Sequence, residues 1–285
     1  MRRLVLLILA LATLLPSLAQ AYDVLVLQSR RDPAYEEVLR GFRSGSTESQ
    51  RVIVMSDYAE VDVIRLVSED HPRIILAIGD AALTATRAVL QTPVVAVLAL
   101  GIHSAQSSRP NLTGIDMFVA PERYISIFRK MKTKRCGVIY NPAKSGWYLK
   151  QARHAAAEAG IELVAREVSD PRQTMAQLAT LSGTVDALWM LPDSTAVTRE
   201  TTEAYFRFGQ QEAIPVVSFA AGYLKLGAAA VLEIDRSALG RQAGAMVSAL
   251  LDGSDPDSRP LELPKSAVTK TNSSVFKQVE FTSTP

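Results

Sequence analysis

The chain of 285 residues has one cysteine and three histidines. Cys136 has no partner for an internal disulfide, and it lies in the apolar run 135–140, so we expect a small buried hydrophobe rather than a reactive thiol. The histidines His71, His103 and His154 fall in separate segments, without a second histidine four residues away and without a cysteine cluster. These spacings predict neither a metal site nor a cofactor.

A strong charge of either sign is also lacking. The formal net charge is +2, and removal of Arg2 and Arg3 brings it to 0. Since binding to phosphates needs a basic stripe or patch, we expect no nucleic-acid partner. No nucleophile elbow, phosphate-binding loop or dinucleotide glycine pattern follows a predicted strand. The chain is therefore predicted not to be an enzyme, with Asp80 beside Gly79 left as a lone candidate general base.

Only the N-terminus carries a long hydrophobic run. A basic head, Met1-Arg2-Arg3, precedes the apolar residues 4–15, and the small residues of Ala19-Gln20-Ala21 follow. This order predicts a secretory signal peptide over residues 1–21, cut after Ala21, and hence a periplasmic protein. The apolar run is roughly a dozen residues, whereas a membrane-spanning helix needs ~20, so a retained anchor is the less favoured alternative.

Short apolar runs alternate with amphipathic stretches along the rest of the chain. Strands are predicted at 24–27, 52–55, 74–78 and 93–98, and then at 135–140, 161–165, 186–191, 215–219 and 228–234. Helices are predicted at 33–43, 61–69, 81–90, 121–131, 145–159, 171–181, 197–212 and 235–251. Continuous apolar strands indicate parallel sheets with helices on both faces, so we expect two doubly wound α/β lobes. The polar segment 101–114 is interpreted as a crossing between lobes, 252–265 as a linker and 275–281 as a last edge strand.

Ligands of open parallel sheets bind beyond the carboxyl ends of the strands. Several loops at these ends are small or polar and lead directly into a helix, whose N-terminus suits an anion. The candidate ligand-binding residues are Ser29, Arg30, Gly79, Asp80, Ala81, Asn141, Asp193, Ser194, Thr195, Ser218, Phe219 and Asp235. Asp193, Ser194 and Thr195 have an equally good alternative as simple helix caps.

The two tryptophans have different predicted roles. Trp189 follows Leu188 inside a strand and is expected in the core. Trp147 and Tyr148 begin a helix after the Asn141 loop, and either pack on their lobe or face the cleft as a lid over a flat ligand.

Several ordered motifs resemble one known family. Asn111-Leu112-Thr113-Gly114, Gly137-Val138-Ile139-Tyr140-Asn141-Pro142, Val185-Asp186-Ala187-Leu188, Pro192-Asp193-Ser194-Thr195, Ile214-Pro215-Val216-Val217 and Leu239-Gly240-Arg241-Gln242-Ala243-Gly244 are similar to blocks of the tryptophan/tyrosine-type substrate-binding proteins of ABC transporters. The resemblance implies a type I periplasmic-binding-protein fold with a three-crossing hinge. It also implies ligand contacts from Asp193, Ser194 and Thr195, and from Asn141, Ser218, Phe219 and Asp235.

The first lobe departs from this family. Where relatives often carry G-T-P-A or G-S-P-A, this chain has Gly79-Asp80-Ala81-Ala82. A carboxylate there would repel an anionic ligand unless it pairs with Arg30 or Arg31. We therefore expect a cationic or hydroxyl-rich ligand rather than a free aromatic amino acid.

The expected protein is a monomer with a signal peptide (1–21), one lobe from 22–114 plus 236–260, and another from 115–235 plus 261–285. It would capture an amino-acid-like or other small polar solute by hinge closure and deliver it to the permease of an ABC importer. The alternative is a periplasmic sensor subunit that signals to a membrane protein. A two-lobed transferase is a third possibility, but it needs activated nucleotide donors, usually absent outside the inner membrane.

Overall fold

A computed structural model describes residues 22–272 of the chain. The predicted signal peptide and the predicted strand at 275–281 lie outside these residues. Within 22–272, no helix combines the length and the apolar character needed to cross a bilayer.

The first half of the described chain folds around a five-stranded parallel sheet in the order β2-β1-β3-β4-β5. Its strands are β1 (Val24–Gln28), β2 (Gln50–Val54), β3 (Ile74–Ile78), β4 (Val94–Val97) and β5 (Leu112–Gly114). The helices between them are α1 (Pro33–Gly45), α2 (Val63–Asp70), α3 (Asp80–Ala85) and α4 (Ile102–Gln106). Every residue of β1 and β3 is buried, because apolar clusters cover both faces of the sheet.

The second half folds around a six-stranded sheet in the order β11-β10-β9-β8-β6-β7. Its strands are β6 (Arg135–Tyr140), β7 (Glu162–Glu167), β8 (Ala187–Trp189), β9 (Val216–Ser218), β10 (Ala230–Ile234) and β11 (Ala267–Thr271). Its helices are α5 (Pro121–Lys130), α6 (Pro142–Glu158), α7 (Gln173–Ala179) and α8 (Arg199–Gln211). Only β11 is antiparallel to its neighbour. Trp189 and Cys136 are fully buried here, which confirms both predictions.

The last helix, α9 (Arg236–Leu251), follows β10 of the second sheet but packs on the first lobe against α1. Glycines make this close approach possible. A Cβ atom on Gly240 would lie 2.1 Å from the carbonyl oxygen of Val38, and one on Gly41 would lie 2.2 Å from that of Ser237. The backbones of α1 and α9 therefore touch directly.

Between residues 22 and 272 the chain passes from one sheet to the other three times. The first passage follows β5, where Asp116 N–H donates to the carbonyl of Glu262 (2.9 Å) and Glu262 N–H donates to that of Gly114 (3.0 Å). This pairing joins the first passage to the third, which leads to β11. The second passage connects β10 to α9, and Asp235 N–H donates to the carbonyl of Ser266 (3.2 Å) beside the third. The three passages thus lie side by side.

Two parts of the predicted layout are wrong. The segment 101–114 is not simply a crossing, because it contains helix α4 and strand β5, which completes the first sheet. A helix of five residues and a strand of three are too short to show a hydrophobic period. Strand β11 was also missed, since all but its first residue are exposed and it has no apolar run. The residue boundaries proposed for the lobes stay a prediction.

Candidate functional site

The carboxyl ends of the first-lobe strands are tied together by Ser29. Its hydroxyl donates to the carbonyl of Ile78 (2.9 Å) and accepts from the N–H of Ala82 in α3 (2.9 Å). Gly79 lies between them with φ +92°, and a Cβ there would meet the hydroxyls of Tyr35 and Ser29 at 2.6 and 2.7 Å. Ser29 and Gly79 therefore fix the start of α3 close to the end of β1. Ala81 follows as an exposed residue of that helix with no polar side-chain atom.

Asp80, the residue that departs from the resembled pattern, lies exposed at the start of α3. Its carboxylate accepts from the N–H of Leu100 (3.2 Å) and of Gly101 (2.9 Å), and so fastens the loop that follows β4. Arg30 and Arg31, the two possible cation partners of Asp80, pair with other carboxylates. Arg30 pairs with Asp32 at 2.8 Å, and Arg31 pairs with Asp57 at 2.6 Å.

In the second lobe, Asp193 organises the loop after β8. One carboxylate oxygen accepts from the N–H of Thr195 (2.8 Å) and of Ala196 (3.1 Å). The other accepts from Asn141 N–H (2.7 Å) and from the hydroxyl of Ser145. Asp193 is buried, so these donors compensate for the loss of water around its charge. The carboxylate binds its own loop and the start of α6.

Asn141 and Thr195 complete that network. Asn141 caps α6 through Ala143 N–H (2.9 Å), and its amide nitrogen donates to the hydroxyl of Thr195 (3.0 Å). Ser194 is the exposed member, and its hydroxyl accepts from the ammonium of Lys144 (2.8 Å). The structure thus brings together four predicted residues, and of these Ser194 has the side chain open to a solute.

The ends of β9 and β10 carry three more predicted residues. Ser218 is fully buried, and its hydroxyl has no hydrogen-bond partner among residues 22–272. Phe219 is half-buried and meets Tyr223 edge to face, with ring centroids 5.3 Å apart. Asp235 caps α9 by accepting from Ala238 N–H (2.8 Å). Asp235 therefore has a structural task at the second passage.

A chain of charges crosses between the lobes next to Asp235. Arg236 pairs with Glu233 of β10 (2.7 Å) and reaches Glu37 of α1 in the first lobe (3.4 Å). Lys270 of β11 also pairs with Glu233, at 2.6 Å. Burial acts to raise the pKa of Glu233, but the hydrogen bond from Lys270 and the charge of Arg236 outweigh it and lower that pKa.

An aromatic contact across the lobes involves three residues that were not among the candidate ligand-binding residues. The imidazole of His103, on α4, stacks on the indole of Trp147, on α6, with centroids 4.1 Å apart and planes 8° from parallel. Phe118, on the first passage, meets the same indole edge to face at 5.5 Å. Trp147 packs against the core of its own lobe and also stacks on His103 across the lobes, so both alternatives hold in part, whereas Tyr148 is fully buried.

Asp116 lies at the edge of the imidazole. One carboxylate oxygen accepts from the N–H of Met117 (2.6 Å) and of Phe118 (3.3 Å), and the other lies 3.8 Å from Nδ1 of His103. That second oxygen, Nδ1 of His103 and Nε1 of Trp147 are buried and have no hydrogen-bond partner in the described part of the chain. Burial raises the pKa of Asp116 to about 6 and lowers the pKa of His103.

His103 was not predicted as a ligand-binding residue, because it lies in the segment interpreted as a crossing. No sequence signal links it to Trp147, since the two belong to different lobes. Across residues 22–272, no group of three or more His, Cys, Asp or Glu side chains is placed to hold a metal ion.

Comparison with known proteins adds a family to this geometry. The family model described as ABC transporter substrate binding protein matches residues 54–284. A tyrosine-binding protein from Clostridioides difficile (strain R20291) is 23% identical over 156 residues, which is 53% of this chain and 45% of that relative. The match thus spans less than half of the relative's length.

Two solved structures share the architecture. A Streptococcus pneumonia ABC domain in complex with L-Trp has a TM-score of 0.64 and 17% identity, covering 90% of this chain and 94% of its own. A ligand-free, open substrate-binding protein with adhesive properties from Clostridium difficile has a TM-score of 0.64 and 19% identity, covering 91% and 95%. At these identities the likeness concerns the fold, and it confirms the predicted class of two α/β lobes of the type I periplasmic binding kind.

Proposed function

The chain belongs to the family of ABC transporter substrate-binding proteins, and on that premise we propose that it captures a small organic solute between its lobes and delivers it to an ABC permease. The observation that carries this proposal is the stack of His103 on Trp147, which brings side chains of the two lobes into contact beside the hinge. The family assignment favours transport over the alternative role as a sensor subunit. We also propose that the protein is a monomer without catalytic activity.

Closure about the three passages is the proposed mechanism. The passages run side by side and are joined by backbone hydrogen bonds, so that the lobes can rotate about them without breaking either sheet. A solute that contacts both lobes stabilises the closed arrangement by the free energy of the contacts made only there. Arg236 forms ion pairs with Glu37 and Glu233 beside this hinge, and these ion pairs stabilise the closed arrangement of the lobes.

Location and lobe boundaries belong to the proposal as well. Family members are typically extracellular or periplasmic. We propose the periplasm, with export by the signal peptide 1–21 and cleavage after Ala21. The proposed lobes are 22–114 plus 236–260 and 115–235 plus 261–285. This division agrees with the packing of α9 on α1.

We infer the class of solute from the negative charge of Asp80, at the start of α3 in the first lobe. Asp80 stays exposed and forms no ion pair with Arg30 or Arg31. An exposed carboxylate disfavours an anionic group and favours a cation or hydroxyl groups. The tyrosine-binding relative and the L-Trp complex make amino acids and their decarboxylated amines the first solutes to compare. If Asp80 sets this preference, Asp80→Asn weakens binding of a cationic solute by about tenfold, or about 1.4 kcal/mol.

Calorimetry tests that preference with Asp257→Asn as the control, because Asp257 is an exposed linker carboxylate. Equal affinity of the wild type and Asp80→Asn for the bound cation would exclude Asp80 from ligand selection.

The capture function is tested by mass spectrometry of small molecules that copurify with the mature protein. The identified solute is then added to protein freed of it, and X-ray scattering measures the radius of gyration. We expect compaction on binding. A solute that binds tightly without compaction contradicts hinge closure.

A further inference from the structure

We propose that Trp147, His103 and Asp116 form a subsite for a flat cationic nitrogen group, such as an amidinium or a guanidinium, and that His103 fills it as an internal competitor. This inference rests on the proposed function, because it describes part of the same interlobe cleft. The three residues come from α6, α4 and the first passage, so that both lobes and the hinge contribute to the subsite.

The wall of the subsite is the indole of Trp147. Phe118 and Tyr148 meet it edge to face at 5.5 and 5.7 Å, and these contacts fix the plane of its ring. One indole face is stacked against the imidazole of His103. The face of a tryptophan attracts cations as well as flat rings, because its π-electrons carry partial negative charge. The wall therefore favours a flat group with positive charge.

The acceptor of the subsite is the free oxygen of Asp116. Backbone N–H groups of Met117 and Phe118 hold the other oxygen, which fixes the orientation of the carboxylate. No lysine or arginine of residues 22–272 forms an ion pair with Asp116, and His103 Nδ1 at 3.8 Å lies beyond hydrogen-bond distance. Burial of a carboxylate without a cation partner is energetically unfavourable, so binding of a cation beside it is favoured. A flat cation on Trp147 would reach it along the ring plane.

His103 holds this position only weakly. Nδ1 makes no hydrogen bond, and the side chain remains 41% exposed. Burial lowers the pKa of His103 and so disfavours its charged form, and at 3.8 Å without a hydrogen bond the ring compensates the charge of Asp116 poorly. A permanently charged flat group supplies both the stack and the ion pair. It therefore has an advantage over the imidazole that it displaces.

The test uses a matched pair of probes, benzamidine and benzamide, which share a flat shape and differ in charge. Calorimetry measures both with His103→Ala, His103→Phe and the wild type. His103→Ala removes the competitor, and we expect it to bind benzamidine at least about tenfold more tightly than benzamide. His103→Phe restores a stacked ring, so it and the wild type should bind benzamidine about three- to tenfold more weakly than His103→Ala.

A double variant combines His103→Ala with Asp116→Asn. It lacks the negative charge at position 116, and we expect it to lose the preference for benzamidine. If this double variant does not fold, Asp116→Ser replaces Asp116→Asn in it, since a serine hydroxyl can still accept from Met117 N–H. Fluorescence locates the probe, because the chain has two tryptophans and Trp189 is fully buried in the second lobe. Thermal melts check that each variant is folded.

Two results overturn the subsite: equal binding of the two probes to His103→Ala, including no binding of either, or a preference that survives the change at Asp116. These results leave the capture function standing if the wild type still compacts around its copurified solute. Failure of the wild type to bind any solute would instead refute the proposed function itself.

Discussion

We predict that the buried carboxylate of Asp116 contributes less to stability at neutral pH than at mildly acidic pH, and that Asp116→Asn reveals this cost. Burial raises the pKa of Asp116 from 3.8 to about 6. The folded protein thus holds this proton more tightly than the unfolded chain does. Between about pH 4 and pH 6 the folded state binds more protons at this site, so its contribution to the free energy of unfolding falls as pH rises.

The size of the effect follows from the shift. A difference of one pKa unit corresponds to about 1.4 kcal/mol, and the shift is about two units, which sets about 3 kcal/mol as the upper bound. An asparagine keeps the oxygen that accepts from Met117 and Phe118 and carries no charge at any pH. We expect Asp116→Asn to match the wild type at pH 4 and to be about 2 kcal/mol more stable at pH 7.5.

Urea denaturation of both proteins, repeated from pH 4 to pH 8, measures the difference. Other titrating groups are common to the two proteins, so the difference curve isolates Asp116. His103 is a titratable group that faces Asp116, and burial lowers its pKa, which disfavours its charged form. Asp257→Asn, at an exposed site, should give a flat curve. A flat or falling curve for Asp116→Asn would refute the argument that burial destabilises the charged form.

Two further changes test the scaffold around the site. Asp193→Ala leaves the buried donors of Asn141, Ser145 and Thr195 without their acceptor, so we expect a loss of about 3–5 kcal/mol in the free energy of unfolding by urea titration; a loss below about 1 kcal/mol would contradict this structural role. Gly240→Ala places a methyl group against backbone atoms of α1, and a loss of about 3 kcal/mol is expected. Gly222→Ala, with nothing within 4 Å of its Cβ, is the control and should change the melting temperature little.

The large elements could be predicted because their physics is local. Strands such as 74–78 are continuous apolar runs, and only a sheet covered on both faces buries such a run completely. The long helix at 235–251 was predicted from the helical spacing of its apolar residues and is present as α9. Helix α4 and strand β11 were missed since one is very short and the other is an exposed edge. Strand β11 is held by its pairing with β10, which is distant in sequence.

The candidate site was less predictable because a polar residue at a strand end has two possible uses. Asp193 and Asp235 occupy the expected loops, yet their carboxylates bind backbone N–H groups of their own segments. The carboxylate of Asp80 likewise accepts hydrogen bonds from the backbone N–H groups of Leu100 and Gly101. Sequence shows the residue type but not the direction of the side chain, so ligand contact by these residues stays a prediction.

The loop after β4 connects Asp80 and Asp116, and neither of these carboxylates forms an ion pair with a lysine or arginine among residues 22–272. It begins at Leu98, a buried residue with φ +52°, a strained conformation that is typical of functional sites when the surroundings enforce it. Asp80 holds the middle of this loop at Gly101, and two residues later His103 approaches Asp116. In the proposed subsite, a cation bound at Asp116 would displace His103, which this loop joins to Asp80. The two acidic positions therefore contact the same segment, and in our proposals both would favour a solute with positive charge.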